Sequence, residues 1–436
     1  MSYILRCVFK KDEFVPIYKK ALIFIGQMLD SSRNSYILYI SGMRILVLMR
    51  YDCDVVVVGA GPGGSMAAKH ISMEGFDVIL IEKKAEVGAP LRCAEGVSKR
   101  RLLEVGIEPD QKWISQEIIG SIMRSPAGHV LKVVEVHDGS EIGYVLDRHL
   151  FDKAIAEQAA AAGARIMIRT GCTGIITDGS VPIGITANHM GEEIEIYAKC
   201  IVAADGFESQ VARWAGVDTV LAASDIDVCL QYRMTDIDIE YEFCEFVIGS
   251  HAPGGYVWIF PKGKRTANVG IGLQASKCKH SDPKTYLDKY IRNDPRLRDG
   301  KIIEMVGGGV STSPGLKESV ADNLVIVGDA ARVINPLTGG GIYHACLTGK
   351  IAGEVISDCL RRKDLSKEAL MEYHRRWKSS IGDELDRNWR IKERYVNMSD
   401  DLLDEFILAI SDSNIQKIRS EDLIEAARKK FPKILE

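Results

Sequence analysis

The 436-residue chain lacks most of the features that would assign it quickly. It has no surplus of charge, since 56 Lys and Arg stand against 60 Asp and Glu for a net charge of -4. The basic excess of many nucleic-acid binders is therefore missing, and nucleic acid is not an expected partner. Ten cysteines are too sparse for a disulfide scaffold, and they form no CxxC and no zinc-like pair of pairs. Neither a structural metal nor a disulfide framework is expected, and reduced thiols suit a cytoplasmic location. The longest apolar stretches, 21–26, 45–49, 55–60 and 201–204, fall far short of the roughly 18 residues of a membrane span. Lys10, Lys11, Asp12 and Glu13 stand near the N-terminus, and no h-region or small-residue cleavage site marks a secretory signal. No internal repeat or low-complexity tract is present. What remains is globular: 46 % hydrophobic and 27 % charged residues, in a length that allows two to four domains.

The informative part begins near residue 52. Residues 54–58 (DVVVV) form a β-branched apolar run of the kind that suits a buried parallel strand. The run enters Gly59-Ala60-Gly61-Pro62-Gly63-Gly64, then a helical stretch, then a second strand at 77–81 (DVILI) with Glu82 at its end. This is a βαβ unit carrying G-x-G-x-x-G, with an acidic residue 23 positions after Gly59. Gly59 permits the tight turn, Gly61 lets the backbone approach a pyrophosphate, and Gly64 lets helix and strand pack closely. The helix N-terminus offers free N–H groups and partial positive charge to phosphates. Glu82 can accept hydrogen bonds from ribose hydroxyls.

Further along, 147–163 reads as a helix capped by Asp147 and stopped by Gly163, and 165–169, 194–199 and 201–204 read as strands. The last of these leads into Ala204-Asp205-Gly206. Residues 324–327 form another buried strand ending in Gly328-Asp329-Ala330-Ala331, followed by a glycine-rich loop and a helix from about 343 to 359. Between these pieces, 117–146 suggests a meander, and 228–234, 242–248, 256–260 and 266–273 alternate like antiparallel strands. The expected fold is α/β: a discontinuous Rossmann-type domain (49–116, 147–227, 316–363) interrupted by a mainly antiparallel substrate domain (117–146, 228–315), with a helical region at 364–436. Residues 1–48 precede a complete first strand and read either as a genuine extension or, as favoured, as upstream of a translation start at Met43 or Met49; in both readings they are expected to be dispensable.

Three motifs in this order, G-x-G-x-x-G, A-A-D-G and G-D-A-A, resemble the flavoprotein superfamily of aromatic hydroxylases. Leu91-Arg92-Cys93-Ala94-Glu95-Gly96-Val97 and Tyr256-Val257-Trp258-Ile259-Phe260-Pro261-Lys262-Gly263 narrow the resemblance to the geranylgeranyl reductase family, from about Met49 to the end. The resemblance implies noncovalent FAD. Its ADP half would lie at Gly59, Gly61, Gly63 and Gly64, with Glu82 on the ribose. Backbone at Cys93, Ala94 and Gly96 would flank the isoalloxazine, Arg148 would face the linking chain, and Cys172 would give a backbone contact to the adenine. Asp329 would bond ribityl hydroxyls. Gly341 and Ile342 would open a helix whose N-terminus faces the flavin edge that gains negative charge on reduction. Asp205-Gly206 reads either as a flavin-proximal motif or as a strand-end turn.

The implied activity is saturation of geranylgeranyl double bonds in archaeal membrane lipid precursors. The implied partners are a geranylgeranylated lipid, an external electron donor (ferredoxin, a deazaflavin or a nicotinamide) and a peripheral membrane contact. Arg375, Arg376 and Lys378 around Trp377 offer such a contact; a solvated helix face is the competing reading. A flavin monooxygenase or a quinone-linked electron-transfer flavoprotein are the alternatives. Cys93 is the candidate catalytic side chain, with flanking Arg92 favouring a thiolate; otherwise only its backbone matters. Cys93, Tyr256 and an ordered water are the candidate proton donors. Tyr256, Trp258 and Phe260 should share one face of a strand, as an aromatic wall for an isoprenoid or as ordinary core.

Overall fold

The computed structural model describes residues 49–90, 93–134, 143–278 and 282–411, and the backbone of 37–40 and 43–46. Strands β1 (Ile37–Ile40) and β2 (Met43–Leu46) pair as an antiparallel hairpin. The rest of 1–48, on which the start-site expectation mainly rests, lies outside the described residues.

Strand β3 (Met49–Val58) runs through the middle of the first sheet, parallel to β4 (Val78–Ile81) on one side and β13 (Glu192–Ala203) on the other. Strand β10 (Arg165–Met167) adds in parallel beyond β4. Strand β13 serves two partners along its other edge. Its first half pairs antiparallel with β12 (Val181–His189), which continues into β11 (Thr170–Asp178), and its second half takes β20 (Leu324–Ile326) in parallel. Strand β19 (Val320–Ala321) closes on β20. The sequence suggested two strands at 194–199 and 201–204. They are one, because the ladder against β3 keeps a single register from Ile194 to Ala203. Val55, Val56 and Val57 have no exposed surface, as expected for central parallel strands covered on both faces.

The second sheet has seven strands in the order β18 (Lys301–Ser311), β14 (Ile226–Thr235), β17 (Thr266–Gln274), β16 (Tyr256–Gly263), β15 (Phe243–Ile248), β7 (Gly120–Arg124) and β8 (Val130–Val134). All pairs are antiparallel except β15 with β7. The expected meander at 117–146 is divided. Strands β7 and β8 join this sheet, while β6 (Ile114–Ile118) and β9 (Gly143–Leu146) form a separate three-stranded sheet with β5 (Gly96–Ser98). The crossing occurs at Ile119, whose N–H bonds Glu242 O at 2.9 Å. Gly120 follows because a Cβ there would stand 2.1 Å from Val133 O. One face of the seven-stranded sheet buries Tyr232, Met234, Val257, Ile259, Val269 and Ile271 against Leu287 and Ile291 of the helix Pro283–Asn293. The other face looks toward the first sheet.

Helices Lys367–Trp377, Asp383–Tyr395 and Asp400–Ser411 follow the long helix Ile342–Arg362. Leu370, Tyr373 and Trp377 share one helix face and are buried. Trp377 Nε1 donates to Ser319 Oγ at 3.0 Å and Tyr373 Oη to Ile326 O at 2.7 Å. In the cationic cluster around Trp377 the indole is core, while Arg375 pairs with Glu372 at 3.0 Å, Arg376 with Glu354, and Lys378 with Asp386 at 2.9 Å on the outside of the helix. Among the described residues no helix is long and apolar enough to cross a membrane.

Candidate active site

A cavity of about 1480 Å³ opens between the two large sheets. Every site residue expected from sequence lines it: Gly59, Gly61, Gly63, Gly64, Glu82, Cys93, Ala94, Gly96, Arg148, Cys172, Asp329, Gly341 and Ile342.

The turn after β3 is built by sterics. Gly59 has φ +106°, and a Cβ there would lie 2.3 Å from Ala204 O; at Gly64 it would lie 1.9 Å from Gly59 O. No L-residue fits either place. At Gly61, by contrast, nothing stands within 4 Å of the Cβ direction, so the backbone is bare toward the cavity. The helix Pro62–Met73 begins there without a side-chain cap. Glu82 is buried, its carboxylate accepting from the N–H of Ala60 at 3.1 Å and of Lys84 at 3.0 Å. Cys172 sits at a bulge in β11, with burial raising its thiol to about 12.

A second helix, Ile342–Arg362, also points its N-terminus at the cavity, again without a side-chain cap at Gly341. Asp329 stands close by, since a Cβ at Gly341 would be 3.2 Å from its Oδ1. Burial raises the Asp329 carboxyl, with Arg148 and Arg332 opposing the shift. Asp205 caps Val211 N through Oδ2 at 2.9 Å, while its buried Oδ1 has no partner. Two uncapped helix termini, the bare face of Gly61 and the orphaned Asp205 oxygen fit an extended dinucleotide with polar groups along its length.

The loop at 93–96 is clamped from the second sheet. Glu95 has φ +78° and no exposed surface. Its carboxylate accepts from Lys262 Nζ at 2.8 Å, Asn268 Nδ2 at 2.6 Å, Arg233 Nη2 at 3.3 Å and the N–H of Arg148 at 2.9 Å. Gln231 adds a second tie, donating to Cys93 O at 3.1 Å while its Oε1 accepts from Trp258 Nε1 at 2.8 Å.

The thiolate expected at Cys93 is not supported. Burial raises its pKa, against the opposing influence of the Arg148 guanidinium and the hydrogen bond that Sγ accepts from Glu95 N–H at 3.2 Å. Arg92, invoked for the opposite shift, lies outside the described residues. Burial also works against charge on Arg148, but Asp152, bonded at 2.7 and 2.9 Å, and the Cys93 sulfur together outweigh it and keep the guanidinium firmly charged.

The far wall is aromatic. Tyr256, Trp258 and Phe260 face the cavity together with Phe246, stacked edge to face at centroid distances of 5.4 to 6.0 Å. Small residues make room for them: a Cβ at Gly270 would lie 2.3 Å from the Trp258 ring, and one at Gly96 2.8 Å from the Phe260 ring. Tyr256 Oη donates to Thr338 O, tying this wall to the loop before the second helix terminus. Sequence reasoning missed Asn268, Arg233, Gln231 and Asp227, the last being a carboxyl on the cavity face of β14. Glu95 and Lys262 were inside recognised motifs but unassigned. Nothing local in the sequence signals Gln231 or Asp227.

Comparison with known proteins agrees with this geometry. Residues 225–310 match the family model of the geranylgeranyl reductase catalytic domain, and 57–107 match an NAD(P)-binding Rossmann-like domain. A digeranylgeranylglycerophospholipid reductase of Methanothrix thermoacetophila is 45 % identical over 88 % of this chain and 97 % of its own length. One from Methanocella arvoryzae is 43 % identical over 89 % and 98 %. A crystal structure of a geranylgeranyl bacteriochlorophyll reductase-like protein from Thermoplasma acidophilum superposes with TM-score 0.85 at 38 % identity, covering 88 % of this chain and 98 % of that one. A myxobacterial FAD-dependent halogenase shares the fold alone, at TM-score 0.66 and 17 % identity, over 87 % of this chain and 96 % of its own. On these similarities over nearly nine-tenths of its length, the chain belongs to the geranylgeranyl reductase family, in the group of the digeranylgeranylglycerophospholipid reductases.

Proposed function

We propose that the chain is an FAD-dependent reductase that saturates the isolated double bonds of geranylgeranyl chains on a glycerophospholipid precursor of archaeal membranes. The observation that carries this reading is one cavity with two unlike walls. The first is a dinucleotide cradle of bare backbone, helix termini and carboxylates; the second is the aromatic face of β16. When bound, reduced FAD supplies the hydride, a chemistry no side chain offers. The chain's own residues do the rest. Gly61 and the Pro62–Met73 terminus hold the pyrophosphate, Glu82 takes the ribose, and Asp329 takes the ribityl hydroxyls. Arg148 offers its charge to the linking chain, and the Ile342–Arg362 terminus favours negative charge at the flavin edge.

An isolated trisubstituted alkene has no carbonyl to activate it, so the site must position it closely and keep water out. Tyr256, Trp258, Phe260 and Phe246 provide that apolar wall. The family relationship weighs against a monooxygenase or a quinone-linked electron carrier, because the whole-length relatives carry a reductase name and the halogenase shares only the fold. Electrons arrive from an external donor of the ferredoxin, deazaflavin or nicotinamide class, and the lipid is reached by peripheral contact with a membrane.

Two measurements test the reading. Acid precipitation should release a yellow cofactor that chromatographs as FAD, and the apoprotein should regain it. Lipids from cells making this chain beside an unsaturated archaeal lipid pathway should gain hydrogens in pairs. Flavin retained on the denatured chain, or lipids of unchanged mass, would contradict it.

A further inference from the structure

We propose that Asp227 is the general acid that delivers the proton to the alkene, an assignment that rests on the reductase reading above. Residues two apart on a strand share a face, so Asp227, Cys229 and Gln231 of β14 all look into the cavity. Gln231 marks one end of this row through its bond to Cys93 O. Asp227 marks the other, opposite Val310 of β18, whose Cγ1 would be 3.7 Å from a Cβ at Gly339. The carboxyl thus faces the cavity beside the aromatic wall and near the loop that opens the second helix terminus.

Its surroundings suit a proton donor. Among the described residues its hydrogen bond is a long one, 3.4 Å from Thr312 Oγ1 to Oδ1, which leaves the carboxyl free of a strong partner. The other groups around it are Cys229 on its own strand, Tyr256 of β16, Cys278, and Lys392 and Tyr395 of the helix Asp383–Tyr395. Lys392 favours the carboxylate, but its Nζ is already bonded to Ser224 O at 3.0 Å and Glu393 at 3.2 Å. Burial dominates and raises the Asp227 carboxyl to about 6. An apolar chain filling the cavity removes more water and raises it further. The neighbouring thiol and phenol, Cys229 and Tyr256, are raised by burial and are far weaker acids at neutral pH.

The step balances simply. With FAD bound, its reduced form would supply a hydride to one alkene carbon, while Asp227 gives its proton to the other as the C=C π bond is lost. The two electrons passed to the alkene would be restored by the external donor. Asp227 is left as a carboxylate, steadied by Lys392 and the Thr312 hydroxyl, and recovers its proton from water.

The test compares wild type with Asp227→Asn and Asp227→Glu, each loaded with FAD and reduced by dithionite. Asp227→Asn should bind FAD normally and lose lipid reduction by about 100-fold or more. Asp227→Glu should recover part of the loss. The wild-type turnover rate should fall as pH rises through and above about 6, and this limb should vanish in Asp227→Asn. Independently of turnover, 13C NMR of aspartate-labelled protein should show a carboxyl titrating near pH 6 that is absent from Asp227→Asn. Wild-type rates with an unchanged pH profile in Asp227→Asn would overturn the proposal, as would finding that the resonance lost in Asp227→Asn titrates in wild type at the ordinary aspartate value. If wild type itself leaves the lipid untouched, the reductase reading fails instead.

Discussion

Single residues at this site act through what burial does to them. Asp227 gives the cleanest stability signature, because its folded value is raised to about 6 while an unfolded aspartate titrates near 3.9. Below the unfolded value both states hold the proton and nothing is lost. Between the two values the unfolded chain ionises while the folded carboxyl keeps its proton, so stability falls by up to about 3 kcal/mol as pH rises to about 6 and is level above that. Asp227→Asn lacks this penalty, so its melting-temperature margin over wild type should grow from pH 4 through about pH 6 and then hold steady to pH 8. A constant margin would show that the carboxyl is not buried in solution. Cys93 is the opposite case. Its thiol is neutral and serves as an acceptor for Glu95 N–H, a role a serine hydroxyl can also fill. Cys93→Ser should therefore keep its flavin and stay within about threefold of wild-type lipid reduction, less than 1 kcal/mol in barrier. A loss of tenfold or more with flavin retained would return a chemical role to the thiol.

At the scale of elements, the site depends on ties between sheets that are far apart in sequence. Gln231 joins Trp258 of β16 to the backbone of the 93–96 loop. Gln231→Leu would leave an indole N–H and a carbonyl unpaired, at a cost of about 1–3 kcal/mol. We expect a shifted flavin absorbance spectrum and a raised KM for lipid at a lower Tm; an unchanged spectrum and KM would show that the loop holds its place without the tie. Gly59→Ala should be more severe, because the new methyl meets Ala204 O at 2.3 Å in a backbone at φ +106°. Soluble, flavin-loaded Gly59→Ala would contradict the turn as described.

This scale also divides what the sequence reveals from what it hides. The βαβ unit is legible because its glycines, its apolar run and Glu82 all lie within a few dozen residues. The alternation of 256–260 likewise gives the aromatic face directly. Strand β18 (KIIEMVGGGVS) escapes notice because a run of three glycines reads as a loop, yet Gly309 is where the Phe207 ring packs, 2.8 Å from a would-be Cβ. Glu95 looks like a loop residue until Lys262, Asn268 and Arg233 are brought to it by β14, β16 and β17. Asp227 is one aspartate among many until cross-strand pairing places it opposite Val310.

For the whole molecule, the first sheet supplies a rigid cradle and the second a wall that reaches back to hold the 93–96 loop. Strand β3 begins at Met49 and pairs at once with β13, so a chain starting at Met49 should fold and keep its flavin; insolubility of that chain would assign the preceding residues a structural role. The central claim is that both walls of the cavity serve one reaction. The direct test is an anaerobic single turnover: FAD-loaded protein, reduced by dithionite and freed of excess reductant, is mixed with a geranylgeranylated phospholipid. Absorbance and lipid mass are followed together. The account predicts that the oxidised flavin bands return as the lipid gains one pair of hydrogens per flavin. Flavin that stays reduced beside an unchanged lipid, but reoxidises on adding a quinone, would contradict it.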